Sequence, residues 1–251
     1  MKANYKEIAK YIAENKEKVI QEIKNKKSHL NKKIEPYLSP DEESEIIKFA
    51  HYKYWSNSEC VNVFYVTGTA HPGYIGLTWI DMLQAGIRMD SVNLPLLKEN
   101  PDYYFEYLKK QPDMHYTKIN DKLYISGEGN HRTSIAKVLF YYTGDEKFGG
   151  VIYNEYKIDF SLYEKFKELS DYFFYSRKPI KLILHKRTVK REDNPGWYKE
   201  YYDLRVEIFN FEKNKNIIIP LAQIIELEKE IKNAGFLDKF FKRGKFGKIL
   251  W

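Results

Sequence analysis

An alternating segment, Lys122-Leu123-Tyr124-Ile125-Ser126, runs without a linker into Gly127-Glu128-Gly129-Asn130-His131-Arg132. Thr133-Ser134-Ile135-Ala136-Lys137-Val138-Leu139-Phe140 follows, with apolar residues at helical spacing. Alternation calls for a strand and 3.6-residue spacing for a helix, so the glycine pair must make a sharp strand-to-helix turn. Thr143-Gly144 then stops the helix. Few local arrangements satisfy all three demands, and this one dictates much of what surrounds it.

The same junction carries chemistry. Two glycines allow positive φ and close approach of the backbone to another group. The first N–H groups of the helix lack intrahelical partners and sit at the positive end of its dipole, so the junction attracts anions. Asn130 is placed to cap the helix and His131 to donate to a phosphoryl oxygen. Arg132 supplies a permanent charge in a fork that matches phosphate. Gly127, Gly129, Asn130, His131, Arg132, Thr133 and Ser134 are therefore the expected phosphate-binding set. Glu128, inside this electropositive turn, is the candidate catalytic carboxylate, with His131 and Arg132 as its partners. A plain helix cap, with Glu128 merely paired to Arg132 or a nearby lysine, is the alternative; the density of polar groups exceeds what capping needs.

Around the junction the sequence reads as α+β. Tyr5, Ile8, Ile12, Val19, Ile20 and Ile23 fall on one face of an amphipathic helix over 3–26. Ser39 with Glu42 opens a second helix through about Tyr54, giving a helical N-terminal region over 1–57. The core spans 58–150, a small mixed sheet with helices. It holds a strand over 61–66, a glycine-rich loop containing His71-Pro72-Gly73-Tyr74, a short helix over 78–86 and an extended segment over 90–97. A helix from Asn100 to Lys110 with Tyr104, Tyr107 and Leu108 inward comes next, then a hairpin over 118–126 turning at Asn120-Asp121. Residues 151–251 form an α+β extension: a β-hairpin from 180–189 and 201–211, a short apolar run over 217–221, and a helix over 222–232 capped by Gly235.

Forty-two Lys and Arg against 35 Asp and Glu give a net charge of +7, which favours a polyanionic partner such as DNA. Lys239, Lys242, Arg243, Lys245 and Lys248, interleaved with aromatics, are the candidate nucleic-acid contacts of the C-terminal segment. Cys60 is the single cysteine, so no internal disulfide forms, and its apolar neighbours make it a buried thiol. No window approaches the length of a membrane span and no apolar leader opens the chain, so the expected compartment is the cytoplasm. No Cys/His cluster stands ready for zinc, and no protein-held metal is expected.

The string 120–136, with Gly129 and Arg132 in a Gly-x-x-Arg pattern after a hairpin and before an alanine-containing helix, resembles the ParB/sulfiredoxin superfamily. Met89-Asp90-Ser91-Val92 resembles that family's first strand, and 102–110 its following helix, so the likeness covers roughly 61–145. It implies a turn that holds the phosphates of a nucleoside triphosphate, ATP or CTP with Mg2+. Members include CTP-hydrolysing partition clamps, sulfiredoxins, amino-acid kinases, and plasmid proteins with DNase and ATPase activity. Asn130 stands where sulfiredoxins have a reactive cysteine, which removes their repair chemistry. The clamps have an acid at Asn130 and an arginine at His131, and no helix-turn-helix follows residue 150. Glu128-Gly129-Asn130-x-Arg132 also matches part of the Fic motif, but Tyr124 occupies the place of its histidine base. The resemblance thus implies a DNA-directed nuclease or NTPase. The alternatives are a nucleotide-dependent switch or small-molecule kinase, and a non-enzymatic inhibitor on the same fold.

Overall fold

The computed structural model describes residues 4–234 and 245–250. Their contacts divide into two units. The first comprises Met1–Asp41, Tyr54–Tyr156 and Asp193–Tyr198, the second Glu42–Lys53, Lys157–Glu192 and Lys199–Trp251. The fold is α+β with a mixed sheet.

The apolar stripe at the N-terminus forms two helices instead of one, α1 (Tyr5–Glu14) and α2 (Lys16–Lys24). The break falls at Asn15, whose φ of −125° and ψ of 37° leave the helical region while its amide Nδ2 donates to Tyr11 O at 3.1 Å. A local side-chain bond of this kind competes with helix continuation. Strand β1 (Glu35–Pro36) follows. Helix α3 (Pro40–Ile46) stops well short of Tyr54, and the aromatic-rich stretch after it is strand β2 (Ala50–Asn62). Tyr and Trp in alternation suit a pleated surface better than a helix.

Strand β3 (Val66–Thr69) lies parallel to β1, and β4 (His115–Ile119) and β5 (Lys122–Ile125) form the expected hairpin, with Asn120 at φ 53° in its turn. Strand β5 is parallel to β3, and β4 is parallel to β6 (Lys147–Ile158). The order in the first unit is therefore β1-β3-β5-β4-β6, with β2 beside β6. Leu123 and Ile125 face the core.

Between β3 and β4 come α4 (Met82–Ala85) and α5 (Leu94–Glu99). Residues 90–97, read from sequence as extended, and 89–92, read as the first strand of the resemblance, are helical: Met89–Asn93 forms a π-turn that leads into α5. Met89, Leu94 and Leu97 are thereby buried on one side. Pro95 sits in the first turn of α5, where its missing N–H has no partner to lose. The helix expected through Lys110 is only one 3-10 turn, Pro101–Tyr104. The reason is Lys110, nearly buried, whose ammonium donates to Tyr103 O and Glu106 O, carbonyls that a continuing helix would use itself; its own N–H goes to Gly150 O at 2.8 Å. Tyr104 is buried as expected, but Tyr107 and Leu108 are exposed.

Helix α6 (Asn130–Thr143) ends at Gly144, left-handed at φ 78°. It is buried along most of its length and packs on α1 and α4. Lys137 lies inside this core, its Nζ donating to Val66 O at 2.9 Å and sitting 4.2 Å from the Trp79 ring centre. Burial pulls its ammonium down to about 7, with Lys32 adding repulsion, and His29 is the other titratable group that feels it. The sign follows from linkage: between this value and the 10.5 of an exposed lysine the unfolded chain binds more protons, so stability rises with pH there. Lys137→Met should therefore gain most on the wild type at pH 6 to 7. By pH 9 urea denaturation should show that gain shrinking, at up to about 1.4 kcal/mol per pH unit. A gain independent of pH would show that Lys137 is not buried as a charge.

In the second unit α7 (Phe160–Tyr175) packs on α8 (Ile224–Ala234). Strands β7 (Ile180–Asn194) and β8 (Trp197–Asn210) are joined through Pro195 and Gly196, and β9 (Lys215–Pro220) is antiparallel to β8. Helix α9 (Gly247–Leu250) contacts β9. Gly235, expected to cap α8, lies outside the described residues. Among those residues no helix is long and apolar enough to cross a membrane.

Candidate functional site

The β4–β5 hairpin delivers the chain into the turn, and β4 grips it: Ser126 N donates to His115 O at 3.0 Å, and His115 N to Glu128 O at 3.1 Å. Gly129 has φ 123°, a region L side chains avoid, and a Cβ there would stand 2.8 Å from Met114 Cε. Gly127 has no such φ; a Cβ there would meet His115 Cβ at 3.2 Å. The close approaches of both glycines in the structure are thus to β4 and its lead-in.

Helix α6 starts at Asn130 with Gly129 as its cap residue, so Asn130 does not cap it. Asn130 Oδ1 instead accepts from Thr69 Oγ1 at 2.5 Å, tying the helix start to β3. Thr133 and Ser134, expected to offer hydroxyls to phosphate, point into the core and are fully buried. Thr133 Oγ1 donates to Gly129 O at 2.8 Å, so the 2.6 Å bond between Tyr116 Oη and Thr133 Oγ1 has tyrosine as donor. Ser134 Oγ donates to Trp79 O at 2.8 Å. These two residues fix the start of α6 from beneath.

Glu128, Gly129, Asn130, His131 and Arg132 converge on one cavity of about 780 Å³; Gly127, Thr133 and Ser134 do not line it. The same cavity is also lined by residues that sequence reasoning did not assign, notably Ile87, Arg88, Leu96 and Tyr103. Nothing in their spacing marks them, because an exposed arginine after an exposed isoleucine has no local signature. His71 and Tyr74, noted in sequence only as a loop, also line it, with rings stacked 4.2 Å apart.

His131 is half-buried. Asn93 Nδ2 lies 3.4 Å from its Nδ1 and Tyr74 Oη 2.8 Å from its Nε2. With the amide donating to Nδ1, the ring proton falls on Nε2 and is donated to Tyr74. Burial, reinforced by His71 and Arg88, lowers the His131 pKa, so the ring is neutral at pH 7 and positions Tyr74 rather than supplying charge. Burial and the Glu128 charge push the Tyr74 phenol up, keeping its proton available to an acceptor in the cavity.

Arg132 donates to Tyr103 Oη at 2.8 Å, Pro112 O at 2.6 Å and Asp113 O at 3.3 Å. Part of its fork therefore holds the 103–113 segment against α6, while the cation borders the cavity. Arg88 is exposed beside it. Glu128 is the one carboxylate among the described residues lining the cavity. Two guanidinium groups and the α6 N-terminus against one acid give the described lining a positive balance.

Other cations are engaged elsewhere. Lys98 pairs with Glu14 at 2.7 Å and Lys109 with Asp113 at 3.3 Å. Lys245 Nζ donates to Gln223 at 2.8 Å and Glu226 at 2.9 Å, and its neighbour Phe246 is buried. Lys239, Lys242 and Arg243 lie outside the described residues, as does the side chain of Lys248. Cys60 is partly buried, and burial raises its thiol pKa.

Compared with protein-family models, curated proteins and solved structures, the chain matches none.

Proposed function

We propose that the first unit binds the phosphates of a nucleoside triphosphate, ATP or CTP, at the N-terminus of α6 and hydrolyses it with Glu128 as base. The observation that carries this reading is the meeting of that helix end, Arg88, Arg132 and a single carboxylate on one cavity. A volume of about 780 Å³ suits one nucleotide. The hairpin leading into Gly129-Asn130-His131-Arg132 and then a helix agrees with the resemblance to the ParB/sulfiredoxin superfamily.

Mg2+ would arrive on the phosphates of the nucleotide, with Glu128 kept as the base. When bound, it would neutralise phosphate charge. Glu128 orients the attacking water and accepts its proton as the new O–P bond forms. The bridging P–O bond breaks, releasing nucleoside diphosphate and phosphate. Arg88 and Arg132 meet the charge on the phosphoryl oxygens, and Tyr74 donates its phenolic proton to one of them. A hydroxyl in place of water would make the same arrangement a kinase. A second reading, DNA cleavage, rests on the net charge of +7. It uses the same groups on a phosphodiester.

A thermal-shift series with ATP, CTP, GTP and their diphosphates plus Mg2+ tests the proposal. At a hundredfold excess over Kd the melting temperature should rise by roughly 5–10 °C. Glu128→Ala should keep the shift and lose phosphate release. A response no larger than that to free sulfate contradicts the proposal, and release of nucleotides from DNA without a triphosphate response favours the second reading.

A further inference from the structure

The lining of the same cavity also carries an apolar set, on the segment that packs against His131 at the start of α6. Ile87 is 85% exposed, Leu96 54% and Val92 40%, and all three line the cavity. Ile87 follows α4, Val92 belongs to the π-turn and Leu96 to α5, so one short segment supplies all three to the lining. Leu94 and Leu97 of the same segment are buried, so α5 already has its inward face, and Leu96 is not needed to anchor it. Exposed apolar side chains gathered at the mouth of a charged cleft mark a surface that a ligand covers.

Polar groups of the same lining narrow the choice of ligand. Asn100 and Gln111 border the cavity, and both are exposed. A carboxamide offers a donor and an acceptor side by side, which matches the edge of a nucleobase. An acyl chain would cover the apolar set and leave the amides without partners. An inorganic polyphosphate would reach neither.

We infer that Ile87, Val92 and Leu96 form the platform on which a nucleobase lies, that Asn100 and Gln111 read its edge, and that the ligand is a nucleotide held through its base as well as its phosphates. This rests on the phosphate site at α6 and adds the group that distinguishes a nucleotide from a bare phosphate. The amides select among bases, and the apolar platform accepts any planar ring.

Calorimetric titration of the full chain with ATP, CTP, GTP and inorganic triphosphate, each with Mg2+, tests it. The wild type should bind at least one nucleoside triphosphate about tenfold more tightly than inorganic triphosphate. The double variant Ile87→Ser/Leu96→Ser changes exposed positions and no charge. It should lower nucleotide affinity by about tenfold and leave that of triphosphate within about twofold. Asn100→Ala and Gln111→Ala should alter the ranking of the three bases. Equal affinity of the wild type for nucleotide and triphosphate, or nucleotide affinity unchanged in the double variant, overturns the platform while leaving the phosphate site standing. Failure of every ligand to bind overturns both.

Discussion

Gly129→Ala should abolish the proposed nucleotide binding and cost roughly 2–4 kcal/mol of stability, whereas Gly127→Ala should cost about 1 kcal/mol or less. The difference comes from backbone geometry. At φ 123° an alanine is strained whatever the space, and its Cβ would also overlap Met114 Cε at 2.8 Å. Met114 is buried, so it cannot swing away without opening a cavity. Relieving the clash rotates the peptide before Asn130 and with it the first N–H groups of α6, the donors proposed to meet phosphate. Gly127 has an ordinary φ, and a 3.2 Å contact with His115 Cβ asks for a shift of a few tenths of an ångström. Urea denaturation of both variants checks the contrast. Equal costs would mean that the turn is not held as described.

Arg132→Lys keeps the charge, yet it should lose as much binding as Arg132→Ala to within about threefold, both falling by roughly a hundredfold. The guanidinium makes three separate hydrogen bonds, to Tyr103 Oη, Pro112 O and Asp113 O. An ammonium is a point charge on a flexible stem and cannot reach these three acceptors from the same place. Loss of the fork frees the 103–113 segment, which carries Tyr103, Gln111 and Pro112 of the cavity lining. A stability loss of roughly 2–3 kcal/mol should accompany it, since bonds from a charged donor are among the stronger ones. Calorimetry and thermal melting measure the two effects. If the lysine variant binds like wild type, Arg132 acts only as a diffuse charge.

The junction was legible in sequence because every signal for it is local. Alternation in 122–126, paired glycines and helical spacing from Thr133 each act within a few residues, and Gly144 stops the helix where its sequence position says. What failed depends on distant partners. Residues 101–110 look helical, yet the Lys110 ammonium takes the carbonyls a helix would use. Thr133 and Ser134 looked like phosphate ligands by position. Helical periodicity around Ile135 and Val138 does not reveal that Tyr116 and Trp79 lie directly beneath them. Arg88 and Ile87 reach the cavity only because the segment from α4 to α5 folds over the α6 N-terminus, a placement set by the burial of Met89, Leu94 and Leu97.

The central claim is that phosphate sits on the N-terminus of α6, and the backbone amides there can be watched directly. In proton–nitrogen correlation spectra recorded while ATP or CTP with Mg2+ is added, the amides of Asn130, His131 and Arg132 should move most. Tyr74 and Arg88 should follow, and the second unit should stay still. Saturable binding that leaves those three amides unmoved, or that shifts α8 and β9 instead, would contradict the account.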